Sequence, residues 1–493
     1  MLSESLFISR LMNISSIQRQ SVIYVASTIG LTVVGFVSTI YFAHTLGPAP
    51  LGAYFLFLAY FGIFYLIGDG GFGGAAVKRI SEGKEPDEYF SAFVFIRIVL
   101  LVVSVTALLG AESFLKEATS SGIFFWLLLT LIVSVFSSCS NIGIYGSGKV
   151  GIQQVSTFLE GCLRTFFQIA AVFFGFGVSG LTGGFVIGLI AGGIVNFRSL
   201  DLKLVRFRLS HLKSLTNFSF WIFLSASGSL VFCYADTILI GYFMSNANVG
   251  IYRTTFQLTS VAAITTLAFQ TVLYPKISNW GAQDQRTEIE NALARAFTYS
   301  LLLAIPACVG GWILGERLLY HLYGASFTTG TSAFFFLLLV QVVNVFMFLG
   351  IMSLNALNRP KDAFWITVTA AIANILLDIY LIPAIGITGA AVATLVAITI
   401  NAVGALILLS RIISLKFEYN QVKNILYASG LMGVFLLCID FLIPFTHIIT
   451  VLLMVITGAL MYIVVFLKLD QEIRIQIRDL FVNLGVPLSE WFK

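Results

Sequence analysis

About fourteen charge-poor apolar stretches follow one another along this chain, each near the ~20 residues that a helix needs to cross a bilayer. They run approximately over 21–43, 50–68, 90–110, 121–143, 152–176, 180–197, 216–243, 248–274, 294–314, 331–355, 362–383, 386–410, 424–443 and 447–467. Hydrocarbon offers a peptide group no hydrogen bonds, so segments of this length and apolarity resolve as transmembrane helices. A soluble alternative fails on composition: 58% of the 493 residues are hydrophobic and 10% charged, at a mean hydropathy of +0.96, too little polar surface to cover such a body. The expected fold class is an all-α integral membrane protein.

Basic residues give the orientation, because lysine and arginine collect in short cytoplasmic loops. With the N-terminus inside, the expected cytoplasmic segments hold about 23 of the 28 Lys and Arg residues, and the outer loops hold only Lys116 and Arg317. An even number of spans then leaves both termini in the cytoplasm, at the plasma membrane. The richest basic segment, 198–215, carries Arg198, Lys203, Arg206, Arg208 and Lys213. Residues 1–20, with Arg10 and Arg19 on an apolar and hydroxyl-rich segment, read as a short interfacial helix, and 469–493 as an amphipathic cytoplasmic tail. The net charge of +5 thus reports topology, with basic loops facing anionic membrane lipids rather than nucleic acid. All five cysteines (Cys139, Cys162, Cys233, Cys308, Cys438) fall within expected helices, which gives no disulfide framework and no metal-ligand spacing.

Residues 36–56 and 234–254 are one membrane hairpin written twice. At a constant offset of about 198 residues, Thr39 falls on Thr237, Ile40 on Ile238, Ala49 on Ala247, Gly52 on Gly250, Tyr54 on Tyr252 and Lys78 on Lys276. Later in each half, Gly180-Leu181-Thr182-Gly183 returns as Gly386-Ile387-Thr388-Gly389. Both copies begin on the same side of the membrane, a parallel duplication of the kind from which secondary carriers are built.

Three motifs suggest other chemistries and fail on context. Gly143 to Lys149 spells G-x-x-x-x-G-K, but Val150 stands where a phosphate loop needs Ser or Thr for magnesium. Gly68, Gly70 and Gly73 spell G-x-G-x-x-G after an apolar run that is a membrane helix and not a strand, so a bend is expected there. Asn13-Ile14-Ser15 and Asn217-Phe218-Ser219 match glycosylation acceptors on the cytoplasmic side. No nucleophile, base and orienting residue gather in any soluble segment, and no cofactor fingerprint is present. The chain does not read as an enzyme.

Polar residues at membrane depth are costly unless paired or wet, so each marks a functional or pairing role. Glu160, Arg164 and Gln168 lie at four-residue spacing on the fifth span and share one helix face. Arg164, near mid-membrane, is a candidate for an anionic ligand, and Glu160 for a neutralising pair or a gating group. Arg253 and Gln257 repeat the spacing on the eighth span, and Asp236 on the preceding helix is either their counter-charge or an ion-coupling carboxylate. Arg97 lies about seven residues into the third span, where it either snorkels to headgroups or meets ligand. Asp69, Asp378 and Asp440 sit near expected helix ends and read as structural.

The chain resembles the polysaccharide flippases of the multidrug, oligosaccharidyl-lipid and polysaccharide exporter superfamily, of the O-antigen and teichoic acid exporter type. The stretches that carry the likeness are Ala43-His44-Thr45-Leu46-Gly47 with Leu51-Gly52-Ala53-Tyr54, Asp236 to Gly241 followed by Val249-Gly250-Ile251-Tyr252, Leu322-Tyr323-Gly324, Leu357-Asn358-Arg359-Pro360-Lys361, and Ile382-Pro383 leading to Gly386-Ile387-Thr388-Gly389. The resemblance implies two six-helix lobes, 21–197 and 216–410, two further helices over 411–468, a central cationic cavity, and alternating access by rocking of the lobes. It implies as substrate a polyprenyl or dolichyl (pyro)phosphate bearing an oligosaccharide, moved from the inner to the outer leaflet. Arg97, Arg164 and Arg253, with Gln168 and Gln257, are then the expected substrate contacts, because guanidinium binds phosphate oxygens in a bidentate fork. Asp236 and Glu160 are the expected coupling or gating groups for H+ or Na+. Glycan polymerases or glycosyltransferases are the expected neighbours, and no cofactor is implied. The competing readings are a cation-coupled drug exporter of the same superfamily, a peptidoglycan lipid-precursor flippase, a membrane-embedded glycosyltransferase, and a non-transporting scaffold.

Overall fold

The computed structural model describes residues 16–115, 121–442, 447–471 and 473–475. The interfacial helix expected over 1–20 and the tail expected over 469–493 lie largely outside the described residues. Among the described residues every regular element is a helix. The chain divides into two compact units, Met1–Gly250 and Ile251–Lys493.

In the first unit α1 covers Ser16–Leu46, α2 Pro48–Asp69, α3 Phe72–Ser81, α4 Pro86–Gly110, α5 Ile123–Gly146, α6 Val150–Phe173, α7 Gly177–Arg198 and α8 Leu209–Phe243, and α9, Asn246–Thr259, runs across the division. In the second, α10 covers Ile264–Ala282, α11 Arg286–Tyr323, α12 Thr331–Ala356, α13 Pro360–Ile385, α14 Ile387–Ser410, α15 Tyr419–Leu442 and α16 Ile448–Leu469.

Among the described residues, eleven helices or continuous helix pairs are long and apolar enough to cross a membrane, twelve if the two parts of α8, bent by 54°, count as one span. The expectation of about fourteen also counted α1 and α6. Both are helices: α1, Ser16–Leu46, is apolar over Gly30–Leu46 among the described residues, and α6 is diluted by Glu160, Arg164 and the glutamines Gln153, Gln154 and Gln168. Apolar side chains such as Val99, Val102, Phe166, Leu452 and Ile456 stand on the outside, as lipid solvation requires.

Glycines set the breaks. Gly70 and Gly71 both adopt left-handed backbone (φ 57° and 77°), and Gly70 N–H caps α2 by donating to the Leu66 carbonyl. The G-x-G-x-x-G run is thus the bend expected of it. Lys149 of the G-x-x-x-x-G-K run donates to the Ser199 carbonyl at 2.8 Å and pairs with Asp201 at 2.5 Å, so its ammonium is committed to the chain itself.

The basic segment 200–208 is non-helical and clamped to the start of α4. Lys203 N–H donates to Asp87 Oδ1 at 3.0 Å and Val205 N–H to Ser91 Oγ at 2.8 Å. His211, just beyond, bonds Glu85 at 2.9 Å, and this contact holds the Glu85 carboxyl below the usual range. α8 then packs on α2, α3 and α4, which carries the compact unit past the basic segment as far as Gly250.

The duplicated hairpin has a physical rationale. A Cβ on Gly52 would lie 1.6 Å from the Asn246 carbonyl oxygen and 2.8 Å from Gly250 N, and one on Gly250 would lie 2.0 Å from the Pro48 carbonyl oxygen. The repeat-related glycines meet backbone to backbone, a contact that any side chain would prevent. In the second unit α15 and α16 pack on α11, with Tyr462 Oη donating to the Leu302 carbonyl at 3.0 Å and Arg317 pairing with Asp440 at 2.6 Å.

Candidate functional site

The polar stripe on α6 is built by its neighbour. Helix α7 presents Gly184, Gly188 and Gly192 at four-residue spacing, and a Cβ on each would lie 2.5 Å from Gln168 Cγ, 2.8 Å from Arg164 Cβ and 2.8 Å from Glu160 Oε2 respectively. Three glycines thus make room for three long polar side chains. Ser156 Oγ adds a hydrogen bond to the Gly192 carbonyl at 2.8 Å.

The three polar residues do different work. Gln168 is buried and its amide donates to Tyr54 Oη at 2.9 Å and to the Leu181 carbonyl at 2.7 Å, tying α6 to α2 and α7. Arg164 is half-buried, with its guanidinium 5.9 Å from the Phe185 ring centroid, and it makes no ion pair among the described residues. Glu160 is likewise half-buried, and the direct bridge to Arg164 that the spacing allows does not form.

Arg97 is placed differently. It is 1% exposed, enclosed by α2, α4 and α5, with Nη1 3.6 Å from Asp69 Oδ1 and its guanidinium 4.9 Å from the Tyr65 ring centroid. The space beside it, lined by Ser104 and Ser134 among others, measures about 10 Å³, room for one water and not for a phosphate. Asp69, which the sequence marks as a helix-end residue, is therefore its ion-pair partner. Asp236 lies buried on α8 in the first unit, beside the fully buried Thr237.

Arg253 belongs to the second unit, half-buried on α9 with its guanidinium 5.6 Å from the Phe256 ring centroid. Gln257 follows one turn later, also half-buried. Behind them lies a mostly neutral polar interior, of which the sequence marked only Asp378, as a helix-end residue. Gln341 donates to Thr259 Oγ1 at 3.3 Å, Asn344 donates to Gln341 Oε1 at 3.1 Å, and the Tyr252 and Thr394 hydroxyls lie 3.3 Å apart. Asn374, Asp378 and Asn401 are buried on α13 and α14, with Asp378 at 0% exposure. The missed signal was amide and carboxyl residues three or four apart inside spans (Gln341 and Asn344, Asn374 and Asp378).

With this geometry in view, comparison with known proteins settles the family. Residues 18–280, more than half of the chain, match the family model described as polysaccharide biosynthesis protein. The chain belongs to that family. Two relatives from Haloferax volcanii match almost end to end. The "probable low-salt glycan biosynthesis flippase Agl15" is 28% identical over 89% of this chain and 93% of its own, and the "probable flippase AglR" is 28% identical over 94% and 98%. Among solved structures, the lipid II flippase MurJ in an inward closed conformation superposes with a TM-score of 0.78 at 18% identity, over 92% of this chain and 99% of its own. An inward-facing multidrug resistance transporter of the MATE family follows at 0.65 and 15%, over 78% and 94%. At these identities the structural likeness establishes the fold alone, a multi-pass all-α membrane architecture.

Proposed function

We propose that this family member is a flippase that moves a polyprenyl- or dolichyl-(pyro)phosphate-linked oligosaccharide from the inner to the outer leaflet by alternating access, for assembly of cell-surface polysaccharide or glycoconjugate. The observation that carries this reading is the Arg164 guanidinium, half-buried at membrane depth, unpaired among the described residues, and set in a face cleared by glycines. A permanently charged fork in that setting is matched to phosphate oxygens. Two relatives of nearly full length named as flippases, one of them for glycan biosynthesis, support the cargo class. The drug-exporter and lipid II alternatives draw only on likeness of fold.

In this mechanism Arg164 in the first unit and Arg253 in the second, with Gln257 close by on the same helix, are each a phosphate contact in the course of transport, while Gln168 and Arg97 hold the scaffold. A polar path keeps the sugar hydroxyls hydrogen-bonded, which hydrocarbon cannot do, while the lipid tail stays in the bilayer. The chain performs no covalent chemistry on its cargo. Net direction then comes from a gradient acting through differential affinity for two states, with Asp236 as the H+ or Na+ coupling group and Glu160 as a gating group. Both termini lie in the cytoplasm, and glycosyltransferases or a glycan polymerase supply and consume the cargo.

The decisive experiment is translocation of a fluorescent lipid-linked oligosaccharide in proteoliposomes under an imposed membrane potential. Protein-dependent flipping that falls in folded Arg164→Ala and Arg253→Ala variants is expected. An intact protein that flips none of several lipid-linked glycans sinks the reading. Asp236→Asn with unaltered dependence on ion gradients removes the coupling assignment.

A further inference from the structure

Between α1 and α6 lies a cavity of about 480 Å³, within the ~300–1,000 Å³ typical of small-molecule sites. Its α6 wall is a run of neutral polar groups. Gln154 donates to Gln153 Oε1 at 2.9 Å, Gln153 donates to Thr157 Oγ1 at 3.3 Å, and Thr157 donates to the Gln153 carbonyl at 3.0 Å. Ser27 and Thr32 supply hydroxyls from α1, and Phe158 gives an aromatic wall. Among the described residues no charged side chain lines the cavity.

Its position is as informative as its lining. A Cβ on Gly161 would lie 2.5 Å from Leu31 Cδ2, so the two helices touch at that level, beside the cavity wall. The cavity lies near the start of α6, close in sequence to Lys149 and its partner Asp201, at the basic end of the unit. Val155, on the same turn of α6, is 58% exposed, and Val33 on α1 is 55% exposed. A slot of amides and hydroxyls therefore opens beside lipid-facing apolar surface.

We propose that this slot holds an uncharged hexose of a lipid-carried glycan on the loading side of the transporter, before the phosphate reaches Arg164. The chemistry selects that class. Glutamine amides and hydroxyls offer both donors and acceptors, as sugar hydroxyls require. Phe158 offers a flat apolar face, and the described lining residues offer a phosphate no counter-charge, the nearby Lys149 ammonium being paired with Asp201. The neighbouring valines accommodate the lipid tail. This assignment rests on the flippase reading above.

The test is lipid binding to the full-length protein in detergent by native mass spectrometry, with three probes: polyprenyl phosphate bearing one neutral hexose, bare polyprenyl phosphate, and hexosyl diacylglycerol. Wild type is expected to prefer the hexose-bearing phosphate over the bare one. Gln154→Leu and Thr157→Val are each expected to weaken that lipid about 3- to 10-fold, the effect of one lost hydrogen bond, with bare-phosphate binding unchanged. Thr157 is exposed and its replacement isosteric, so that variant keeps the fold. Variants that hold the hexose-bearing phosphate as tightly as wild type, or lose both phosphates alike, overturn the slot. Hexosyl diacylglycerol bound equally well, with the same dependence on Gln154, makes it a site for resident glycolipid and overturns the cargo role. Wild type that retains neither phosphate lipid overturns the flippase reading, and this assignment with it.

Discussion

Arg97 and Arg164 are both arginines inside spans of the same unit, and they have opposite fates. Arg97 is enclosed against Asp69 and Tyr65, whereas Arg164 emerges half-buried beside Phe185 without a carboxylate among the described residues. The surroundings decide this. Arg97 faces Gly68, where a Cβ would lie 3.8 Å from its Nη1, and the end of α2 delivers Asp69 one residue later. Arg164 has glycine behind its Cβ, and Glu160, its acidic neighbour one turn back, has Oε2 beside Gly192 and forms no ion pair with it. A buried cation held in an ion pair is a structural joint, whereas a half-buried one outside any ion pair is the one proposed above to meet the anion.

The largest effect is expected at the joint. Arg97→Leu leaves the Asp69 carboxylate without its partner, a loss on the order of 3–5 kcal/mol, read as a large drop in melting temperature in detergent or failure to purify. The double variant Arg97→Leu with Asp69→Asn should recover much of it. An Arg97→Leu protein as stable as wild type but unable to bind polyprenyl phosphate breaks the comparison and returns Arg97 to the cargo site. Next comes Arg164→Ala, expected to keep the wild-type melting temperature and to lose about 10- to 100-fold in flipping, the worth of a charge-assisted contact of about 1.5–3 kcal/mol. Arg164→Lys should recover only part, since ammonium lacks the bidentate fork. A stability loss matching that of Arg97→Leu would show that Arg164 too is a joint.

How much of this was legible in the sequence follows from what periodicity records. Apolar runs marked the helices because hydrocarbon admits few alternatives, and the 198-residue offset marked the duplicated hairpin because Gly52 and Gly250 are both needed at one backbone crossing. The stripe Glu160, Arg164 and Gln168 was legible from spacing alone. The partners were not. Tyr54 lies 114 residues from the Gln168 amide it accepts from, and Asp69 reaches Arg97 only because α2 and α4 pack together. Spacing fixes which residues share a helix face, while the facing helix decides whether a charge there is satisfied. The neutral interior around Gln341, Asn344 and Asn374 escaped for a related reason: Gln168 and Gln257 stood out beside arginines at helical spacing, whereas amides away from a cation give a weaker signal although they also need partners.

Gly188→Leu sharpens the comparison from the opposite side. Any side chain there meets Arg164 Cβ at 2.8 Å and the Glu160 carbonyl at 3.0 Å, so α7 must shift away from α6. The expected cost is about 1–3 kcal/mol, with flipping reduced because Arg164 is displaced while its charge is retained. Wild-type flipping in that variant would mean that the glycine face does not set the site.

The smallest effect belongs to Gln168→Leu. The substitution removes the donor to Tyr54 Oη and to the Leu181 carbonyl while nearly conserving volume, so the helices keep their apolar contacts. Hydrogen bonds between membrane helices average about 0.6 kcal/mol, because the unfolded chain in the bilayer also finds partners. Two such bonds give an expected loss near 1 kcal/mol and a small fall in melting temperature. Flipping should change little, since the amide is committed to the scaffold. If Gln168→Leu instead cuts flipping as deeply as Arg164→Ala at unchanged melting temperature, the whole α6 stripe acts on the cargo, and the division between joint and site runs between α4 and α6 rather than along α6 itself.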